Sequence, residues 1–281
     1  MQISRGILTG CNEAFIIGEE RRKEILSWCK STVERSKTDC IIRPILRGRD
    51  IKRYGYDWAG LYLLWIPWHF PLHLDSSIKG ASQVAEQAFQ TQFPAVYQHL
   101  LGFKDVLSKR NQAETGIRYE WYALQRWGAE YWDDFSKSKL LWAETMRIRL
   151  GSRELFPRFS YTDKGIFTDK TCFIATGNDL LFVLAILNSK IGRYQLMQRV
   201  AMMDNGGYLM QKIYLEQIRL PQCDKQAKAK IREIVEQLLS GITVDIFEAR
   251  IEEQVSQLFG LSNAEKSYLD ELFQRPLSRG K

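Results

Sequence analysis

Long apolar runs are missing from this 281-residue chain: the longest candidate, residues 180–187, falls far short of the ~18–20 residues that a membrane span needs. The first residues, Met1-Gln2-Ile3-Ser4-Arg5-Gly6, carry no basic region followed by an apolar stretch, so no secretory leader is read. Cysteines are few and scattered: Cys11, Cys29, Cys40, Cys172 and Cys223 form no C-x-x-C pair and are odd in number, so neither a zinc knuckle nor a disulfide framework is suggested. Only three histidines occur. His69 and His73 have the i,i+4 spacing of a helical metal pair, but Pro67 and Pro71 lie among them and oppose a helix, so loop packing is expected and no metal site. The expectation is a soluble, cytoplasmic chain.

Catalytic signatures are missing too. No G-x-G-x-x-G or P-loop pattern exists to cradle a dinucleotide or triphosphate, and no G-x-S-x-G to hold a nucleophile. No Pro-Pro pair occurs, hence none of the Asn/Asp-Pro-Pro-Tyr/Phe loops that hold an adenine amino group in amino-methyltransferases. A metal-dependent nuclease would need an upstream acid and Glu-x-Lys, and Glu-x-Lys is absent. The lone Asp50-Ile51-Lys52 sits inside a basic cluster, where Asp50 is expected to pair with a neighbouring arginine, and Asp133-Asp134 suits surface or helix-cap duty. The sequence assembles no catalytic site.

Aromatics and cations are plentiful. Aromatic residues make up 12% of the chain, eight of them Trp, enough to build a hydrophobic core and offset the entropy of ordering it. The net charge of +7 is uneven: residues 1–222 hold 31 basic and 23 acidic side chains, residues 223–281 hold 9 and 10. Arg43, Arg47, Arg49, Lys52 and Arg53 crowd one short segment, and a second basic stretch runs from Lys137 and Lys139 through Arg147, Arg149, Arg153 and Arg158. Cations interleaved with Tyr, Trp and Phe suit a polyanion surface, since the cations neutralise phosphate while aromatic faces stack. A plain solvated basic face is the competing reading.

Periodicity suggests an α+β chain: a mixed, strand-rich body with inserted helices, then a C-terminal helical hairpin extension. Residues 14–17 read as a strand ending at Gly18, 19–28 as a short helix, and 61–67 as a strand covered on both faces. Residues 76–110 read as helical, with Pro94 at a first helical position. Strands return at 139–144, 158–161 and 171–175, and Asn178 or Asp179 could cap a helix from 180 towards Gln198. Asn205-Gly206-Gly207 signals a turn, and 213–221 a helical turn followed by a last strand. From 225 to 275 two apolar stripes, Ile231/Ile234/Val235/Leu238/Leu239 and Ile251/Val255/Leu258/Phe259, precede a capping box, Ser262-Asn263-Ala264-Glu265. The expected division is 1–222 and 223–281.

Local sequences then become specific. Gly6-Ile7-Leu8-Thr9-Gly10-Cys11-Asn12-Glu13-Ala14-Phe15-Ile16-Ile17 and Pro44-Ile45-Leu46-Arg47-Gly48-Arg49-Asp50-Ile51-Lys52-Arg53-Tyr54 come first. Leu107-Ser108-Lys109-Arg110, Trp121-Tyr122-Ala123-Leu124-Gln125-Arg126, residues 135–142, Leu187-Asn188-Ser189-Lys190 and residues 213–221 follow in order. Together, over about residues 4–222, they resemble the TaqI-like C-terminal specificity (target recognition) domain of N6-adenine DNA methyltransferases and type IIG restriction-modification enzymes. That resemblance implies a partner, double-stranded DNA, and a second partner, the N-terminal methyltransferase domain of the same parent protein, which carries the Pro-Pro motif and binds S-adenosylmethionine. The adenine would be flipped out of the duplex into that domain's pocket. It implies a recognition fragment, with no methyl transfer expected from this chain alone. The alternative is a protein-interaction scaffold with an incidental basic face.

Ten residues are the candidate DNA contacts. Arg43, Arg47, Arg49, Lys52 and Arg53 surround Gly48, which can take a tight turn near phosphate; Arg grips phosphate or reads guanine bidentately. Against this stands an internal Arg49–Asp50 salt bridge. Arg110 ends a helix, Lys137 and Lys139 precede a strand, and Lys190 follows Asn188-Ser189, where core hydrogen bonding is the alternative. Asn205 is either a loop tip entering a groove or simply a turn. Trp121 and Tyr122 are expected in the core.

Overall fold

The computed structural model describes residues 1–147, 156–204, 206–241 and 244–274. Its strands are β1 (Gln2–Arg5), β2 (Ile16–Gly18), β3 (Ile42–Leu46), β4 (Leu61–Leu64), β5 (Lys139–Ala143) and β6 (Thr145–Arg147), then β7 (Ser160–Thr162), β8 (Phe167–Thr168), β9 (Cys172–Thr176), β10 (Ala201–Met202) and β11 (Gly207–Leu209). The helices of the first half are α1 (Asn12–Phe15), α2 (Glu19–Trp28), α3 (Thr32–Ile41), α4 (Gln83–Gln92), α5 (Pro94–Leu101) and α6 (Lys104–Lys109). Those of the second half are α7 (Leu180–Asn188), α8 (Lys190–Met197), α9 (Lys212–Leu215), α10 (Lys225–Leu239), α11 (Val244–Leu258) and α12 (Asn263–Gln274). The class is mixed α+β.

The sheet β1-β9-β5-β7, antiparallel throughout, is the partition of the molecule. Side chains alternate across a strand, and here both faces are covered. Leu141, Cys172 and Ile174 point into one core, with Phe15, Leu46, Leu64, Phe89 and Tyr122. Leu140, Trp142, Phe173 and Ala175 point into a second, with Leu184, Val235 and Val255. Trp142 and Phe173, paired across strands, stack with ring centroids 5.7 Å apart. The sheet β2-β4-β3-β8 closes the first core, with a parallel β3–β8 pair; β10-β11-β6 is a small antiparallel sheet on the other side.

Helix α7 explains the apolar run of the sequence. Apolar on every side, it is buried on every side. Helices α10 and α11 lay the two tail stripes against it, so the tail shares the second core with the body rather than building its own. Asp224 caps α10 by accepting from the Ala227 amide at 2.7 Å, and Ser262 and Glu265 cap α12 reciprocally. Asp179 does not cap α7; its carboxylate meets Lys228 at 2.7 Å and Arg232 at 3.7 Å on α10. No helix of the described residues is long and apolar enough to cross a membrane.

Several elements depart from expectation for local reasons. Residues 12–15 form a helical turn before β2 rather than a strand, and α3 was not foreseen. Its signal was present: Ser31 accepts from the Glu34 amide at 3.1 Å, and Glu34 accepts from the Lys30 amide at 2.8 Å. The single helix expected from residue 180 breaks at Ser189, which caps α8 by accepting from Gly192. No strand follows α9 over residues 216–221. A Cβ on Gly192 would lie 1.9 Å from the Ile186 carbonyl oxygen, so α8 cannot approach α7 with any side chain there. Gly192→Ala is expected to lower stability by about 3 kcal/mol, read as a lower thermal midpoint.

Candidate nucleic-acid interface

The Gly48 turn is built by an i,i+3 pair. Asp50, buried, accepts from the Arg47 amide at 2.8 Å, from its Nε at 3.0 Å and from its Nη2 at 2.9 Å. That hydrogen bonding holds the Arg47 guanidinium above its ordinary range. Gly48 donates to Thr171 Oγ1 at 3.1 Å, and a Cβ on it would press on Thr171 and on Ala143 of β5. The turn is therefore seated against the central sheet. Arg49 projects exposed at its apex, with no hydrogen-bond or ion-pair partner among the described residues.

The next turn carries Lys52. A bridge between Ile51 and Tyr56 closes it, the Lys52 amide donates to Gly55 at 2.8 Å, and Tyr54 takes a left-handed φ of 61°. Facing these turns are Arg147 on β6 and Arg158 just before β7; the Arg158 guanidinium donates to the Arg147 carbonyl at 3.3 Å. Arg49, Lys52, Arg147 and Arg158 line one open groove of about 590 Å³, with Thr145, Thr171 and Met203 along it. Glu144, the carboxylate of that lining, is engaged by Arg5 at 2.6 Å. A stretch of groove with four guanidinium or ammonium groups and one neutralised acid presents a positive field to a polyanion.

The remaining candidates go elsewhere. Arg47 and Arg49 exchange the parts expected of them: the internal salt bridge belongs to Arg47, since i,i+3 positions meet across a tight turn. Arg53 is not a surface cation; it grips Glu248 of α11 at 2.7 and 3.1 Å and donates to the carbonyls of Asn188 and Pro157. Arg110 spends its guanidinium on the carbonyls of Thr9, Trp121 and Ala123, over the Phe15 and Tyr119 rings, and burial lowers its pKa to about 10. Lys139 is wholly buried, donating to the carbonyls of Phe135, Lys137 and Lys164 at 2.7, 3.1 and 2.8 Å. Internal hydrogen bonds occupy all four side chains, Arg47, Arg53, Arg110 and Lys139.

Lys137 and Lys190 are exposed but ion-paired. Lys137 bridges Asp133 at 2.7 Å and Asp134 at 2.9 Å, hydrogen bonds that raise its pKa to about 12, and Lys190 reaches Asp270 of α12. Arg43 is exposed on β3 and is not part of the groove lining. Asn205, Arg149 and Arg153 lie outside the described residues. Asn188 clamps the Phe159 backbone through both amide atoms, so the Asn188-Ser189-Lys190 motif is a packing joint. Trp121 and Tyr122 are core residues, as expected, and His69 packs in its loop against Glu120 at 2.9 Å.

Sequence reasoning noted Arg147 and Arg158 as part of a basic stretch without choosing them, and missed Thr145, Thr171 and Met203. The available signal was position: Arg147 ends a strand and Arg158 precedes one, the edges where side chains reach solvent.

Lys139 gives a pH test. Burial pulls its pKa down to about 8 in the folded chain, against about 10.4 when unfolded. Between those values the unfolded chain holds the extra proton, so this residue's contribution makes stability rise with pH from about 8 to 10. Unfolding of the native chain and of Lys139→Met, compared across that window, is expected to show this rise only in the native chain.

With this geometry in place, the chain belongs to the TaqI-like C-terminal specificity domain family, whose model matches residues 43–221. The match takes in the Gly48 turn, the central β5 and β9, and α7 to α9, and leaves the 6–17 segment outside. Among individual proteins, the chain is 22% identical over 244 residues to the Type II methyltransferase M.MjaIV of Methanocaldococcus jannaschii, covering 86% of this chain and 72% of that protein. Its fold also resembles that of the type IIL restriction-modification enzyme MmeI, solved in complex with DNA, with a TM-score of 0.61 and 13% identity over 97% of this chain. The chain spans 35% of that enzyme's length.

Proposed function

We propose that this chain recognises a target in double-stranded DNA, as the specificity part of an adenine-N6 methyltransferase or a restriction-modification enzyme. The observation that carries the reading is the groove itself. Four cations from three separate segments converge on one open surface of a specificity domain, with Lys52 also reaching Asp57 at 4.0 Å. Arginine and lysine there would position the phosphates, leaving base readout to neighbouring uncharged lining such as Met203. Methyl transfer would need a catalytic domain carrying S-adenosylmethionine. The groove, lined with cations, does not fit a cationic sulfonium, so the methyl donor is assigned to that domain and not to this chain.

Duplex binding by the full chain, followed by fluorescence anisotropy against salt, tests this. Four phosphate contacts predict a slope of log K on log salt of about −3.6 and roughly a hundredfold loss from 50 to 200 mM salt. A flat salt dependence, or no binding, would favour a protein-interaction scaffold.

A further inference from the structure

We infer that Glu248, on the helical tail, is a positioning residue of the groove: through Arg53 it fixes the Lys52 and Arg158 walls against each other. This inference rests on the DNA-binding reading above. The Arg53 side chain turns away from the groove lining toward the tail. Its Nε and Nη2 meet the two Glu248 oxygens at 2.7 and 3.1 Å, and its Nη1 donates to the carbonyls of Asn188 at 2.5 Å and Pro157 at 3.3 Å. Lys52 precedes Arg53 in the chain, and Arg158 follows Pro157. One guanidinium therefore ties the segment bearing each wall to α11.

The surroundings show why such a tie is needed. Tyr54, beside Arg53, holds a φ of 61°, a conformation that a bulky residue keeps only when its neighbours overdetermine it. Those neighbours are the 157–159 segment and the tail. The Tyr54 amide donates to the Phe159 carbonyl at 2.8 Å, and Asn188 holds the Phe159 amide and carbonyl at 3.0 and 2.9 Å. Arg53 also lies over the Tyr54 ring, 5.1 Å from its centroid. Without Glu248 the guanidinium loses both its carboxylate hydrogen bonds, and the Lys52 turn is free to relax toward ordinary backbone angles. Phosphate-binding cations lose affinity when they must be ordered at binding instead of beforehand.

The test is a double-mutant cycle on the full chain, with a labelled mixed-sequence duplex at fixed salt. Glu248→Gln is expected to weaken binding about tenfold, although it removes no groove side chain. Lys52→Ala is expected to cost about tenfold in the native chain but threefold or less in Glu248→Gln, because two residues that act through one structure are not additive. Asp270→Ala breaks a different tail–body ion pair, that with Lys190, and is expected to leave binding unchanged. Should Glu248→Gln fail to fold, Glu248→Asp carries the same cycle. Native affinity in Glu248→Gln, additive costs, or an equal loss in Asp270→Ala each overturns the inference while the DNA reading stands. A native chain that binds no duplex overturns both.

Discussion

The double substitution Arg49→Glu/Arg147→Glu is expected to weaken duplex binding at least a hundredfold, about 3 kcal/mol or more, while the thermal midpoint stays within a few degrees of the native value. Both side chains are exposed lining residues of the groove, so their reversal removes two phosphate contacts and adds repulsion without disturbing the interior. A parallel Arg47→Ala substitution discriminates between charge and fold. It removes the partner of the buried Asp50 carboxylate, which then keeps only the Arg47 amide, so its effect falls on stability. Anisotropy with the same duplex and a thermal melt on each variant give the two readouts. Loss of binding in Arg47→Ala at full stability, with native binding in the double reversal, would move the interface away from this groove.

Arg53→Ala is expected to cost about 3–5 kcal/mol, lowering the thermal midpoint by roughly 10 °C. Three losses add up at that position. Glu248 is left three-quarters buried or more with no cation, two backbone carbonyls lose a donor, and the left-handed Tyr54 loses the ring contact that helps hold it. The nearby Glu252 has its pKa raised by burial and restrained by Arg53, so without Arg53 it would take up a proton more readily. Calorimetry of the variant at neutral and mildly acidic pH checks this, the deficit being smaller at the lower pH. A midpoint unchanged at neutral pH would mean that the tail is held by α10 and α11 packing alone.

The division between what was legible and what was not follows distance along the chain. Local patterns told the truth where local forces decide: the two stripes of the tail, the Ser262–Glu265 box, Pro94 opening α5 and the buried strand β5 all formed as their sequences imply. The basic cluster was visible, but its members were not distinguishable. Arg49 and Arg53 look alike in sequence; one is exposed, and the other meets a glutamate 195 residues away. Lys139 precedes an apolar run and reads as a surface cation at a strand entrance, yet three carbonyls from two separate loops enclose its ammonium. The groove was harder still, because it is composed of segments around residues 50, 145 and 158 that only long-range contacts bring together: β5 pairs with β7 and β9, and the Gly48 and Tyr54 amides bond Thr171 and Phe159.

Hydrogen exchange of the full chain, with and without a saturating duplex, tests the central claim most directly. The account predicts slowed exchange in the 47–52 turns, in β6 and around residues 158 and 171, with the outer faces of α10 and α2 unchanged. Protection confined to those helices, with the groove exchanging as in the free chain, would contradict it.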